Sequence, residues 1–250
     1  VGKFSSDLSS LECLTYLSGS SNEDDALLDL DKQGNVYVLS GTNSADFPTT
    51  SGSHQESHST GTNLDLAVSK LDPNLSNLIF STFIGTTSVE EPQDIAVDQE
   101  GRVYCIGLTG SASFPLSANA QKNSFTGTYG GVFLMLSQDG VNLNYSTYWG
   151  NDIPAGNRYC DIFLEENTPN QKELFMTNII QASSYTTSGV INETYGADQD
   201  GYVTKYIFDF AQEPASPVLD PISPSTDGIV QLNWNDVIMA DNYSVYRDIT

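Results

Sequence analysis

Two stretches decide how this chain is read: DKQGNVYVLSGTNSADFPTT, from Asp31 to Thr50, and DQEGRVYCIGLTGSASFPLS, from Asp98 to Ser117. They lie 67 residues apart and align without a gap. Each runs from an acid through a tight turn ending on Gly34 or Gly101, then an alternating apolar run, a polar connection and a Phe-Pro pair. Glycine at the end of D-x-x-G supplies the positive φ that a tight hairpin needs. Val, Tyr and Ile alternating with smaller residues give the two-residue period of a strand. Turn, strand and Phe-Pro persist, whereas the polar chemistry varies: Asn43 becomes Gly110 and Asp46 becomes Ser113. Residues that resemble a binding loop in one copy therefore belong to the variable part of a building unit.

The same period extends outward. LTYLSG (Leu14 to Gly19) returns as STFIGT (Ser81 to Thr86) and STYWG (Ser146 to Gly150), with Thr15, Thr82 and Thr147 spaced by 67 and 65 residues. Gln55 and Gln121 carry the alignment beyond Phe-Pro. LAVSKLD from Leu66, VFLMLSQD from Val132 and GYVTKYIFD from Gly201 form a further set, and VGKFSSD at Val1 is its first member. Each unit thus predicts four short strands, which in the second are DIAVD, RVYCIGLT, GVFLML and LNYSTYWG. No segment has a helical period. Four-stranded units at a fixed period predict a β-propeller, in which neighbouring sheets bury each other's faces.

These elements together resemble the SBBP-type β-propeller repeats of large secreted or surface proteins of bacteria and archaea. The resemblance covers Val1 to Phe210, with a half blade at 1–19, blades at 24–86 and 91–150, and a blade at 159–210 that lacks its fourth strand. The third unit departs from the pattern: NTPNQKELFMTNIIQASSYTTSG (Asn167 to Gly189) has no D-x-x-G turn and carries Ser-Tyr in place of Phe-Pro. Three and a half blades predict an open arc with exposed strand edges. Beyond Phe210, residues 211–227 read as a Pro-rich linker and first edge strand. Residues 228–250, with Trp234, Tyr243 and Tyr246, resemble the second and third strands of a fibronectin type III domain. Such a domain needs about seven strands and ~100 residues, so this piece is read as truncated. The expected fold class is all-β: a partial propeller plus an incomplete β-sandwich segment.

With 32 acidic against 9 basic residues the net charge is −23, which repels nucleic acid and anionic lipid. No run approaches the ~20 apolar residues of a membrane span, so this segment is not expected to insert directly. The chain opens inside a plausible strand, so a signal segment could have stood upstream of it, and export to the cell surface is inferred from the resemblance. Cys13, Cys105 and Cys160 are widely spaced with no C-x-x-C pair, as buried free thiols would be.

HQESH places His54 and His58 four apart, a zinc spacing only on a helix. Their Ser-, Thr- and Gly-rich flanks predict a solvated loop instead. Acidic residues stand ahead of the first, inner strand of each unit: Glu23, Asp24 and Asp25, then Glu90 and Glu91, then Asp152. Calcium takes six to eight oxygens, but the D-x-D-x-D ladder of a calcium loop is missing. The expectation is an acidic rim, with Glu23, Asp24, Glu90, Glu91 and Asp152 the candidates should calcium bind; no other cofactor is implied. The chain has no G-x-S-x-G elbow, phosphate loop or H-E-x-x-H. Tyr37, Tyr104, Tyr145, Tyr148 and Trp149 read as blade packing in preference to sugar platforms. Asn74, Asn144, Asn192 and Asn242 head glycosylation sequons, which are compatible with export.

The sequence therefore predicts a non-catalytic structural or binding segment of a large exported or cell-surface protein, for adhesion, assembly or contact with a protein or glycan partner. Two alternatives stand beside it: the accessory or catalytic propeller of a carbohydrate-active hydrolase, and a calcium-stabilised adhesin.

Overall fold

A computed structural model describes residues 1–59, 62–125, 127–153, 160–168, 171–180 and 200–210. Among these residues every regular element is a strand. A hairpin of β1 (Gly2–Phe4) and β2 (Leu11–Leu14) comes first. The first four-stranded sheet is β3 (Glu23–Leu30), β4 (Val36–Thr42), β5 (Asp65–Leu71) and β6 (Leu78–Ile84). The second is β7 (Glu90–Val97), β8 (Val103–Thr109), β9 (Tyr129–Leu136) and β10 (Leu143–Ile153). A three-stranded sheet of β11 (Ile162–Thr168), β12 (Gln171–Ile180) and β13 (Asp200–Asp209) follows. Each sheet is an unclosed antiparallel meander in chain order. The chain is thus all-β, built of four-stranded blades in an open arrangement.

The quoted stretches form the hairpins β3–β4 and β7–β8. Gly34 and Gly101 have φ of 81° and 83°, and the Asp31 and Asp98 carbonyls accept their N–H groups at 2.9 Å. The Asp31 carboxylate accepts the N–H groups of Gln33 and Asn35, and Asp98 those of Glu100 and Arg102. The first residue of D-x-x-G therefore closes the turn through both its backbone and its side chain.

The main core lies between the first two blades. Tyr37, Leu39, Leu66 and Val68 of one pack against Ile95, Val97, Cys105 and Leu134 of the next. Tyr104, Ile106, Phe133 and Met135 then meet Leu174 and Met176 of the third sheet, with Tyr206 and Phe208 partly buried beside them. First strands also touch directly: Val97 N–H donates to Asp29 Oδ2 at 2.8 Å, and Ile162 N–H to Asp94 Oδ2 at 2.9 Å. Cys105 and Cys160 are buried and Cys13 half-buried, all unbonded to sulfur.

The sheets are open as expected, with two refinements. The outer edges of β6 and β10 are covered, because the long connection from second to third strand folds back along each. Thr50 N–H donates to the Ser81 carbonyl and Phe83 N–H to that of Gln55; Ser117 and Ser146 with Tyr148 and Lys122 repeat the pattern. This backbone pairing protects an edge that would otherwise invite association. The same bonds show that Gln55 corresponds to Lys122, not Gln121, since their N–H groups donate to Thr82 and Thr147 Oγ1 respectively. The 67-residue offset thus runs on unbroken to Lys122, and the two residues by which the connections differ fall after it. The altered turn of the third unit and all of 211–250 lie outside the described residues.

Candidate functional site

Of the predicted acidic rim, Glu23, Asp24, Asp25, Glu90 and Glu91 lie inside the first strands and not ahead of them, Asp152 lies at the end of β10, and Glu23 and Glu90 face inward. Glu23 accepts from Gly19 N–H, Thr42 Oγ1 and Ser44 Oγ. Glu90, 67 residues on, accepts from Thr86 N–H at 3.0 Å, Thr86 Oγ1 at 2.9 Å and Thr109 Oγ1 at 2.7 Å. Thr42 and Thr109 pass the link on by accepting from Ser44 and Ser111 N–H. A carboxylate with two or three charge-assisted donors is a strong loop staple. This one ties the end of the preceding blade to the start of the next connection. Asp24 is exposed and accepts from Asp25 N–H at a bulge, and Glu91 is half-buried. The structure thus separates Glu23 and Asp24 from Glu90 and Glu91 by a blade; the side chain of Asp152 is not among those described. Among the described residues no three His, Cys, Asp or Glu side chains converge as metal ligands would.

His58 is not a solvated loop residue. Its side chain is 4% exposed, its ring lies edge-on to Phe83 at 5.4 Å, and Nε2 is 3.2 Å from the Thr42 carbonyl and 3.9 Å from Asp65 Oδ2. Asp65 is wholly buried and accepts from Ser59 N–H at 2.7 Å through Oδ2. Its Oδ1 has no hydrogen-bond partner among the described residues. Gly85 is what makes room for it: a Cβ there would collide with Asp65 Cγ. His54 is half-buried, its N–H donating to the Gly140 carbonyl, and burial pushes its imidazole below the ordinary value.

Asp65 and His58 break the repeat together. The residue equivalent to Asp65 is Gly130, since Asp65 pairs with Thr42 and Gly130 with Thr109. The residue equivalent to His58 is Phe125, whose ring meets Tyr148 at 5.1 Å and covers the place where a Gly130 Cβ would be. One blade thus seats an aromatic ring over glycine; the other seats imidazole beside a carboxylate. Sequence reading missed Asp65, although the Asp-for-Gly exchange at a repeat position was the available signal. Burial pushes Asp65 above the carboxylate range, against the opposing pull of Ser59 and His58. Burial also raises Glu90, with the Asp65 charge adding to it. Two buried carboxyl groups raised in this way, one of them facing an imidazole, are groups suited to proton exchange. Both are wholly buried, so in this conformation that chemistry is internal.

The tyrosines are packing residues. The Tyr37 and Tyr104 hydroxyls donate to Asp31 and Asp98 Oδ2 at 3.3 and 2.9 Å, and Tyr148 to the Ser111 carbonyl at 2.7 Å. Tyr145 packs tilted against Phe133 and edge-on to Phe208, and Trp149 is buried.

With this geometry in place, comparison with known proteins adds one match. Residues 79–115, from the fourth strand of one blade to the Phe-Pro of the next, match the family described as SBBP, beta-propeller repeat. That segment contains β7 and β8 and the Glu90 staple. No curated protein matches the chain. Among the described residues no helix is long and apolar enough to cross a membrane, which leaves membrane-crossing strands unaddressed.

Proposed function

We propose that the chain is a non-catalytic structural or binding segment of a large exported or cell-surface protein, working in adhesion, assembly or recognition of a protein or glycan. The observation that supports this best is the use made of its polar groups. Asp31 and Asp98, Glu23 and Glu90, and Thr82 and Thr147 all tie the blade's own turns and connections at equivalent positions. What remains for contact is an acidic, lysine-poor surface carried on a rigid frame, suited to a basic or neutral partner. Residues 228–250 fit this reading as the start of a fibronectin type III-like module.

The hydrolase reading draws support from one observation, the raised pKa of Asp65, which faces His58, together with that of Glu90. One experiment separates the two: titrate the chain with a glycan panel while assaying aryl glycoside hydrolysis. Saturable binding without turnover is the expected result. Turnover that Asp65→Asn abolishes would establish the hydrolase instead.

A further inference from the structure

The face of β3 turned away from the second blade is apolar and bare. Leu28 and Leu30 lie on it, paired across the strands with Val38 and Val36, and are 59% and 52% exposed. Their counterparts Ile95 and Val97, paired with Cys105 and Val103, are 5% and 8% exposed. The difference lies in what stands in front of them. Ile95 and Val97 are covered by Leu27 from the first strand of the preceding blade and Tyr37 and Leu39 from its second. Among the described residues, only the hairpin β1–β2 stands ahead of Leu28 and Leu30. Through Val1, Cys13 and Leu17 it packs with Val38, Leu71 and Leu75, leaving the two leucines open.

Two backbone observations agree with this. Strand β1 has one pairing partner among the described residues, β2; by the order of the complete blades, its other edge is where a second strand belongs. Val97 N–H donates to Asp29 on the preceding first strand, whereas Leu30 N–H, its counterpart, donates to its own neighbour, Asp29 Oδ1, at 2.8 Å.

We propose that this face is a docking seat for a β-hairpin of the same repeat type, the first and second strands of a blade, which pairs with the free edge of β1 and covers Leu28 and Leu30. The contact continues the established blade-to-blade interface, and this identifies the occupant chemically. Its second strand carries an aromatic and a branched aliphatic residue two apart, as Tyr37 and Leu39 or Tyr104 and Ile106 do. Its first strand carries a carboxylate turned toward the β3 backbone, as Asp29 is toward Val97 and Asp94 toward Ile162. Backbone pairing along the edge supplies affinity and the two apolar side chains supply selectivity. Nothing in this depends on what the assembled protein recognises.

The chain contains such a hairpin, so the probe is a synthetic peptide of residues 90–109, titrated under reducing conditions into the full chain. Calorimetry measures binding and amide hydrogen exchange locates it. The expected result is saturable binding of one peptide per chain, with slowed exchange at Gly2–Phe4 and Leu28–Leu30. Leu28→Ser with Leu30→Ser in the chain weakens it by at least about tenfold. Tyr104→Ser with Ile106→Ser in the peptide does the same without altering the chain. Phe163→Ser, at an exposed position on the third sheet, leaves it unchanged. Absence of binding, equal binding by the leucine variant, or protection confined to other strands overturns the proposal. So does a dimer of the chain held through Leu28 and Leu30 that the peptide does not displace, which would make a second copy the occupant.

Discussion

Asp65 carries more consequence than its single position suggests. Its folded-state pKa is raised, chiefly by burial, so its favourable contribution is complete below the ordinary carboxylate value and is lost as pH rises through the folded value. Ionising Asp65 therefore costs the fold stability. Asp65→Asn is expected to melt higher than the parent at pH 7, with the gain shrinking as pH falls to about 4; melting curves across that range check it. Gly85→Ala tests the same space from the other side. Its Cβ meets Asp65, so the substitution should destabilise by about 1–3 kcal/mol. Adding Asp65→Gly should recover most of the loss; a penalty that persists in the double variant would show that Asp65 is not the obstacle.

The blade element rests on a few repeated devices: a carboxylate-closed turn, a buried Phe after the second strand, and a connection laid along the fourth. Phe47 packs on Phe83 at 6.0 Å and is almost wholly buried, so Phe47→Ala should cost about 3–5 kcal/mol in chemical denaturation. The two blades also offer interchangeable solutions at one place, His58 with Asp65 and Phe125 with Gly130. Converting the first pair to the second by His58→Phe and Asp65→Gly should be better tolerated than the single changes predict. A double-mutant cycle should show favourable coupling of about 0.5–3 kcal/mol, and additive losses would remove the equivalence. The second-strand positions and the Phe-Pro plug were legible in sequence because they recur. The Asp65–His58 pair was not, because its members stand on different segments and only folding makes them neighbours.

Across the whole molecule, stability lies between sheets as much as within them. Lys172 on the third sheet is buried and bridges Glu166 of its own sheet and Glu100 of the second blade, while Gln99 N–H donates to Glu166. Burial raises Glu100, but its bond to Lys172 and the charges of Lys172 and Arg102 outweigh this and hold it below the usual glutamate range. A depressed folded pKa contributes stability above the ordinary value that is lost as pH falls through the folded one. Lys172→Met should therefore cost about 2 kcal/mol at pH 7, and its melting deficit should narrow below about pH 4.3. That trend is opposite in sign to the one for Asp65→Asn. Trends of the same sign would refute one of the two electrostatic assignments.

By itself the sequence determined the all-β class, the four-strand unit, the turn chemistry at Asp31 and Asp98 and the acidic charge, because these follow from local residue preferences repeated at a fixed period. Only the tertiary structure decided where the acids point and what the connections do. Glu23 and Glu90 look like rim charges along the chain, yet each is turned inward by hydroxyl and amide donors from distant segments. Gln121 aligns by letter and Lys122 by hydrogen bond, since a backbone pairing is indifferent to the side chain it carries. Leu28 and Leu30 follow the same strand pattern as Ile95 and Val97, and exposure separates them. Burial belongs to the packing of one sheet on the next, and no single repeat encodes it.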